Sequence, residues 1–362
     1  GYVDSLSNRS HSRSNGHDLN VGFNYSDDTW MFNASLGVTP QKRTIDRKVG
    51  KLYADTTMRT IDYQPMIWLS WRKKKMRVSL NYNGRTRQPS LSDLMPLTDN
   101  SDPLYITRGN PDLKQMFMHT MHVSFQHPSK GISANLGWQM EKNSVTQVVL
   151  YDVQTGGRET YPININGNWN TYGSADWWKR FGHFSLKLST SGRHSNRVSM
   201  INEDRSQQPE KSTTRDTGLN CEMAASYQPT WGGFDFSTSW DYQYSLNSLN
   251  DNNTYTRYYN FRFDGYVDFP FGLQLRTDAG YILRSGTNIQ KGEDDEIVWN
   301  ARATWRFLKQ RKAELSACWA DILGKRKSYA RMATSDGFYE SRTQEIKGYF
   351  IVTFKYNFRL MM

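Results

Sequence analysis

The chain has 362 residues, with 46 Lys and Arg against 35 Asp and Glu and a formal net charge of +11. Aromatic residues make up 14% of it (12 Trp, 21 Tyr, 17 Phe), yet hydrophobic residues reach only 37%, whereas a soluble aromatic-rich core brings more Leu, Ile and Val with it. No apolar run approaches the roughly 18 residues of a membrane-spanning helix, which excludes a helical membrane protein, and the Lys and Arg residues are scattered through turns and polar faces, which argues against nucleic acid.

In chain order, the start at Gly1-Tyr2-Val3-Asp4 carries no signal peptide, so a mature chain or a fragment is expected. Residues 1 to 16 are polar and turn-rich and read as a loop. Alternation then begins. Leu19, Val21, Phe23 and Tyr25 share one face, and after Ser26-Asp27-Asp28 so do Trp30, Phe32, Ala34, Leu36 and Val38. The polar stretch from about Thr39 to Thr57 reads as a loop. Ile61, Tyr63, Pro65, Ile67, Leu69 and Trp71 follow, then the basic turn Arg72 to Lys75, then Met76, Val78, Leu80 and Tyr82.

After a long loop around 84 to 113, Phe117, Met121, Val123 and Phe125 turn at Pro128 to Gly131 into Ile132, Ala134, Leu136, Trp138 and Met140. One strand is expected from Ile163 to Trp177, opposing Ile163, Ile165, Trp169 and Ala175 to a row of Asn164, Asn166, Asn168 and Asn170. It turns at Lys179-Arg180 into Phe184, Leu186 and Leu188. Beyond a loop near 192 to 213, Leu219, Cys221, Met223 and Ala225 turn into Phe236, Thr238, Trp240 and Tyr242. The clearest hairpin runs from Thr254 to Arg284 about Pro270-Phe271-Gly272, and Ile297 to Phe307, Leu315 to Trp319 and Phe350 to Phe358 complete the series.

About fifteen strands result, joined alternately by tight turns and by loops of about eight to thirty residues. A large antiparallel soluble barrel or propeller is the alternative, and a soluble sandwich has no reason to keep every short turn at one end. An all-β transmembrane antiparallel up-and-down barrel does, and it is the fold expected over residues 1–362 as a single domain. The apolar faces carry no Lys, Arg, Asp or Glu, and His119 is their one ionisable residue, as hydrocarbon requires. Trp30, Trp71, Trp177, Trp305 and Trp319 fall near strand ends, where a girdle sits. Asn166, Asn168, Asn170, Arg262, Asp264, Arg276, Asp278 and Arg302 mark the opposite face as the lining of a wet or plugged lumen.

Cys221 and Cys318 lie far apart and read as unpaired, without metal spacing. His119 and His122 fall on opposite faces of one strand. The carboxylates are dispersed and there is no Gly-x-Ser-x-Gly, so no enzyme and no cofactor are expected.

The long loop carries Arg87-Gln-Pro-Ser90, Leu94-Met-Pro96 and Gly109-Asn-Pro-Asp-Leu-Lys114. Physically, Pro89 and Pro96 cannot donate to a ladder, Gly109 frees the backbone, and Asn110-Pro111 closes the loop. Together these motifs resemble the external loop of TonB-dependent receptor barrels, in the branch called the outer membrane protein β-barrel family. Asp321-Ile-Leu-Gly-Lys325 and the aromatic last strand from Tyr349 to Phe358 look like further signatures, the latter similar to the signal read by the outer-membrane assembly machinery. The resemblance implies a receptor importing a siderophore or other metal complex, a glycan or a peptide across the outer membrane of a Gram-negative bacterium. It also implies a barrel of about 22 strands with a plug. Neither a plug nor a TonB-contacting box is found in these residues, so the N-terminal barrel part and plug are expected upstream of a chain that is N-terminally incomplete. The partners implied are outer-membrane lipid, that missing part, TonB through the plug, and a surface lipoprotein. A passive channel or a structural barrel without TonB coupling is the alternative.

Ligand contact is expected on external loops. The candidates are Arg87, Asp99, Asp102, Tyr105 and Arg108 in the Gly109-Asn-Pro111 loop, and Tyr329, Arg331, Phe338 and Tyr339 in the loop before the last strand. The competing reading is that these side chains only brace the loops against one another.

Overall fold

The computed structural model describes residues 8–49, 52–96, 98–99, 102–152, 154–202, 208–249, 253–287, 295–333, 338–343 and 345–358. Among the described residues it is built from strands, with one four-residue α-helical turn and two 3-10 turns at Pro128–Lys130 and Lys309–Arg311. In chain order these are β1 (Asn8–Gly16), β2 (Leu19–Ser26), β3 (Trp30–Val49), β4 (Leu52–Lys73), β5 (Met76–Arg87), α1 (Leu91–Leu94), β6 (Thr98–Asp99), β7 (Tyr105–Arg108), β8 (Met116–His127) and β9 (Ile132–Lys142). There follow β10 (Ser144–Tyr151), β11 (Arg158–Ile165), β12 (Trp169–Phe181), β13 (Phe184–Asn202), β14 (Glu210–Tyr227), β15 (Gly232–Asn247), β16 (Thr254–Asp268), β17 (Leu273–Gly286) and β18 (Glu296–Phe307). The last are β19 (Ala313–Ala320), β20 (Ser328–Ala333), β21 (Phe338–Thr343) and β22 (Tyr349–Tyr356).

One antiparallel wall organises the molecule, in the order β2, β3, β4, β5, β8, β9, β12 through β19, and β22, which makes fifteen lines. Every register keeps the apolar residues together. Leu188 faces Met223, Met223 faces Thr238 and Thr238 faces Phe261 from strand to strand, because a pairing slip of one residue would send each of them to the polar side. Short turns lie at one end of the wall and long connections at the other, except that β3 and β4 stay paired there out to Val49 and Leu52. Among the described residues, β2 and β22 are each paired along one edge only.

The apolar face is not a core. Val21 is 77% exposed and Leu136 65%, while the buried apolar cluster consists of Leu94, Met95 and Leu113 in the long connections. A wall that turns its Leu and aromatic side chains outward needs an apolar solvent. The one ionisable side chain expected on that face is accommodated there, with His119 Nδ1 3.0 Å from the Tyr82 hydroxyl and its ring against Phe117. A second histidine shares the face further from the short turns. His194 meets the Thr217 hydroxyl at 2.8 Å and packs on Trp169.

The structure corrects the sequence reading where strands outlast the apolar pattern. Residues 39 to 57, expected as a loop, continue β3 and β4 as a ladder whose partners run from Thr39↔Asp62 to Val49↔Leu52. Its contacts are polar: the Thr44 and Thr57 hydroxyls meet at 3.3 Å, and Gln41 donates to Asp62 at 2.6 Å. Residues 8–16, also expected as loop, form β1 and extend the sheet along the same part of β3. The expected loop at 192 to 213 shrinks in the same way, since β13 reaches Asn202 and β14 starts at Glu210. Backbone pairing needs no apolar side chain, so these extensions leave no trace in the hydrophobic alternation. The single strand expected from Ile163 is instead two, β11 and β12, broken at 166–168.

Candidate functional site

The long connections between β5 and β8 and between β9 and β12 fold onto one another. Ser90 caps α1, accepting the Asp93 backbone N–H at 3.2 Å, and α1 delivers Leu94 and Met95 into the buried cluster with Leu113. Gly109 lies against the Met95 carbonyl so closely that a Cβ there would collide with it. This is the physical demand behind the glycine of Gly109-Asn-Pro111. Asn110 then donates its side-chain N–H to the Pro162 carbonyl at 3.0 Å and accepts from the Asp112 backbone N–H at 3.0 Å. The Leu94-Met-Pro96 and Gly109-Asn-Pro111 motifs are thus two halves of one contact.

The asparagine row joins the second connection to the first. Asn164 accepts from the Lys114 N–H and donates to the carbonyls of Lys114 and Asn143. Asn166 accepts from the Asn143 N–H at 2.8 Å, while Asn168 accepts from the Val198 N–H and donates to Ser144. Asn166 and Asn168 were expected to line a lumen; their amides instead meet the Asn143 and Val198 N–H groups and the Ser144 hydroxyl at the break between β11 and β12, because a sharp bend leaves donors and acceptors that must be satisfied.

These contacts place β6, β7, β11, β10 and the end of β13 side by side, with β7 to β11 and β10 to β13 parallel. Four of the sequence candidates meet on this sheet. Asp99 pairs opposite Thr107, and the Asp102 carboxylate accepts the Leu104 N–H at 2.9 Å. Tyr105 lies under the Arg158 guanidinium at 5.0 Å, and Arg108 sits 4.4 Å from the Tyr161 ring centroid while forming a 2.9 Å ion pair with Glu159. Arg87 is exposed at the end of β5, opposite Met116. Tyr329 and Arg331 lie on β20, and Phe338 and Tyr339 on β21, a separate hairpin. Their side chains fall outside the described residues.

Sequence reading missed Arg158, Glu159 and Tyr161. Their run, Arg158-Glu-Thr-Tyr161, is the only signal, and it does not show which strand they oppose. The exposed side chains of Tyr105, Arg108 and Arg158 offer cationic and aromatic surface, yet the charge of Arg108 is matched by Glu159.

The polar face of the wall holds a second concavity of about 530 Å³, lined by His122, Asn135, Tyr172, Arg193, Asn220 and Asp241 among others. The Tyr172 ring lies across Gly137 and stacks with His122 at 6.3 Å, and Asn220 donates to Asp241 at 2.5 Å. Among the described residues no group of His, Cys, Asp and Glu is placed to hold a metal ion.

Residues 57–356 match the model of the outer membrane protein beta-barrel family. The chain belongs to that family. In the outer membrane protein beta-barrel family setting, the apolar face meets lipid in the outer membrane of a Gram-negative bacterium, the polar face lines the interior, and the short turns are periplasmic. No curated protein matches this chain. Two solved structures are loosely similar to the barrel. OmpT (in-vitro folded), an outer membrane protein of Vibrio cholerae, has 7% identity and a TM-score of 0.34, with 96% of this chain and 97% of that chain covered. A bacterial polysaccharide outer membrane secretin has 9% identity and a TM-score of 0.28, with 99% and 100% covered. Similarity this low carries nothing further about the barrel.

The third motif also has a structural account. Asp321 is buried with φ +46°, and its carboxylate accepts the Lys325 and Arg326 N–H groups at 3.2 Å, while its own N–H donates to Asn300. It turns the barrel chain from β19 into the last long connection.

Proposed function

We propose that this chain is the C-terminal part of the barrel of a TonB-dependent outer-membrane receptor, importing a siderophore or other metal complex, a glycan or a peptide. The observation that supports this reading most is the direction of the outermost strands. β2 leads into a short turn and β22 follows a long connection, so both run toward the periplasm. An antiparallel wall that closes between them takes an odd number of further strands, and in this reading there are about seven, which gives the lumen of about 22 strands that a plug fills. In this reading the remaining strands, the plug and the TonB contact lie upstream, and a surface lipoprotein could cap the packed loops. Ligand would meet Tyr105, Arg108 and the β20–β21 hairpin first.

Uptake of a panel of labelled ferric siderophores, oligosaccharides and peptides, in cells expressing the whole gene with and without TonB, tests this. Import that needs TonB and the proton-motive force supports the receptor. A passive channel or structural barrel is the second reading, favoured by the continuous polar face from Asn33 and Asn81 to Asp278 and Arg302. Ohmic conductance in a planar bilayer with no TonB-dependent uptake would establish it instead.

A further inference from the structure

The long-connection end of the wall carries both signs, with Arg87, Arg108, Lys114 and Arg158 among its exposed cations. Asp93, Asp99, Asp102, Asp112, Glu159 and Glu296 all belong to the long-connection end. At the short-turn end, Asp28, Asp268 and Glu314 lie at some turns, but three others are basic. Arg72, Lys73, Lys74 and Lys75 close the β4–β5 turn, Lys130 the β8–β9 turn, and Lys179 and Arg180 precede the β12–β13 turn, all of them exposed. These turns are consecutive along the rim, because β5 pairs with β8 and β9 with β12. They therefore form one basic arc rather than three separate patches.

No acid interrupts that arc. The sequence has no Asp or Glu between Tyr63 and Ser92 or between Leu113 and Met140. Asp176, on the polar face above the third turn, accepts from Ser189 at 2.7 Å. At the end of the arc, Asp27 is occupied by its own turn, accepting the Tyr25 hydroxyl at 2.6 Å and the N–H groups of Thr29 and Trp30, and the exposed Asp28 beside it bounds the arc there.

The same turns carry the aromatic belt directly above the charges. Trp30 and Trp71 pack at 6.4 Å beside Arg72, Trp177 precedes Lys179, and the Lys179 ammonium lies 5.0 Å from the Phe181 ring. Aromatic side chains mark the depth of the lipid headgroups, so the basic arc lies at or just beyond headgroup phosphate level in the periplasmic leaflet. A protein partner in the periplasm would not need Trp30, Trp71 and Trp177 beside the first and third of these turns. We propose that this arc is a docking surface for anionic glycerophospholipid headgroups, with the phosphodiester on the Lys and Arg side chains and the acyl chains against the Trp belt.

The test uses the full-length protein purified in neutral detergent, doped with equal amounts of phosphatidylglycerol and phosphatidylcholine, with retained lipids counted by native mass spectrometry. Wild type should retain phosphatidylglycerol preferentially, and K73Q/K74Q/K75Q should lose that preference, about fivefold in affinity for each charge removed. K73R/K74R/K75R should keep it, which separates charge from folding. Raising NaCl tenfold should release the lipid from wild type without any substitution. Equal retention of the two lipids by wild type, or undiminished preference in the Gln variant, overturns the proposal. Displacement by inorganic phosphate would reassign the arc to free anions, and displacement by a poly-glutamate peptide at matched charge would reassign it to an acidic protein; either result overturns the lipid assignment.

Discussion

Asn164 grips the backbone of Lys114 from both sides: its amide oxygen accepts the Lys114 N–H at 2.7 Å and its amide nitrogen donates to the Lys114 carbonyl at 2.9 Å. A side-chain amide that reproduces a strand pairing joins two connections that lie about fifty residues apart. Removing it leaves the exposed Lys114 N–H and carbonyl to water and the half-buried Asn143 carbonyl without this partner, at a cost of about 1 kcal/mol. Asn164→Ala should therefore speed amide exchange across residues 104–116, by about fivefold, while leaving the wall strands unchanged. Asn164→Asp keeps the acceptor and loses the donor, and should fall between. Unchanged exchange in the Ala variant would show that the buried Leu94, Met95 and Leu113 cluster alone holds the connections together.

How much of this was legible in the sequence depends on what each segment is bathed in. Wall strands facing lipid must be apolar at every second residue, so Leu219, Cys221, Met223 and Ala225 announce both a strand and its face. The upper parts of β3 and β4 stand in water and are held by backbone pairing and by Thr44 and Thr57, so no apolar period marks them. The packed connections were legible only as motifs. Gly109 and Asn110 could be read as turn formers, but that Gly109 meets Met95, or that Arg108 meets Glu159, depends on β7 and β11 lying parallel. Parallel pairs between distant segments have no short-range signature.

Sidedness can be tested in β13, close to its short-turn end. Leu188 lies on the lipid face beside Met223, and Ser189 on the interior face hydrogen-bonded to Asp176. Leu188 pairs with Trp177 of the aromatic belt, so Leu188→Arg should destabilise the inserted barrel by the interfacial value of up to about 1 kcal/mol. Ser189→Arg should be tolerated, since it places a guanidinium beside a carboxylate. Urea titrations of the two variants in lipid vesicles give the comparison, and equal destabilisation would contradict the assignment of faces.

Gly137 exists to receive the Tyr172 ring, and a Cβ at 137 would run into it. Gly137→Ala should displace that ring from His122 and slow refolding into detergent. Tyr172→Ala, which removes the obstacle, should rescue part of the defect when combined with it. Additive effects in the double variant would mean that the ring and the glycine act independently.

Asp27 gives the β2–β3 turn a pH dependence. Its carboxyl is held below the usual carboxylate range by the Tyr25 hydroxyl first, then by the N–H groups of Trp30 and Thr29. A lowered folded-state value contributes stability that is complete above the ordinary carboxylate pKa and disappears as pH falls through the lowered one. Amide exchange at Thr29 and Trp30 should therefore accelerate, relative to neighbouring amides, on acidification through that window, and Asp27→Asn should abolish the difference.

The direction of β2 and β22 can be examined by crosslinking. Phe23 faces Ala34 across the β2–β3 ladder, and Leu315 faces Phe354 across the β19–β22 ladder. In a C221S/C318S background, cysteines at 23 and 34, or at 315 and 354, should oxidise to disulfides, because antiparallel neighbours bring their Cα atoms within the 4.4–6.8 Å that a disulfide spans. Cysteine at 23 combined in turn with cysteine at 350, 352 or 354 should not crosslink, in the whole gene product in native membranes, if further strands separate β2 from β22. A disulfide in any of those three pairs would mean that the two edges meet directly, as a parallel closure, and would remove the main support for a wider, plugged receptor barrel.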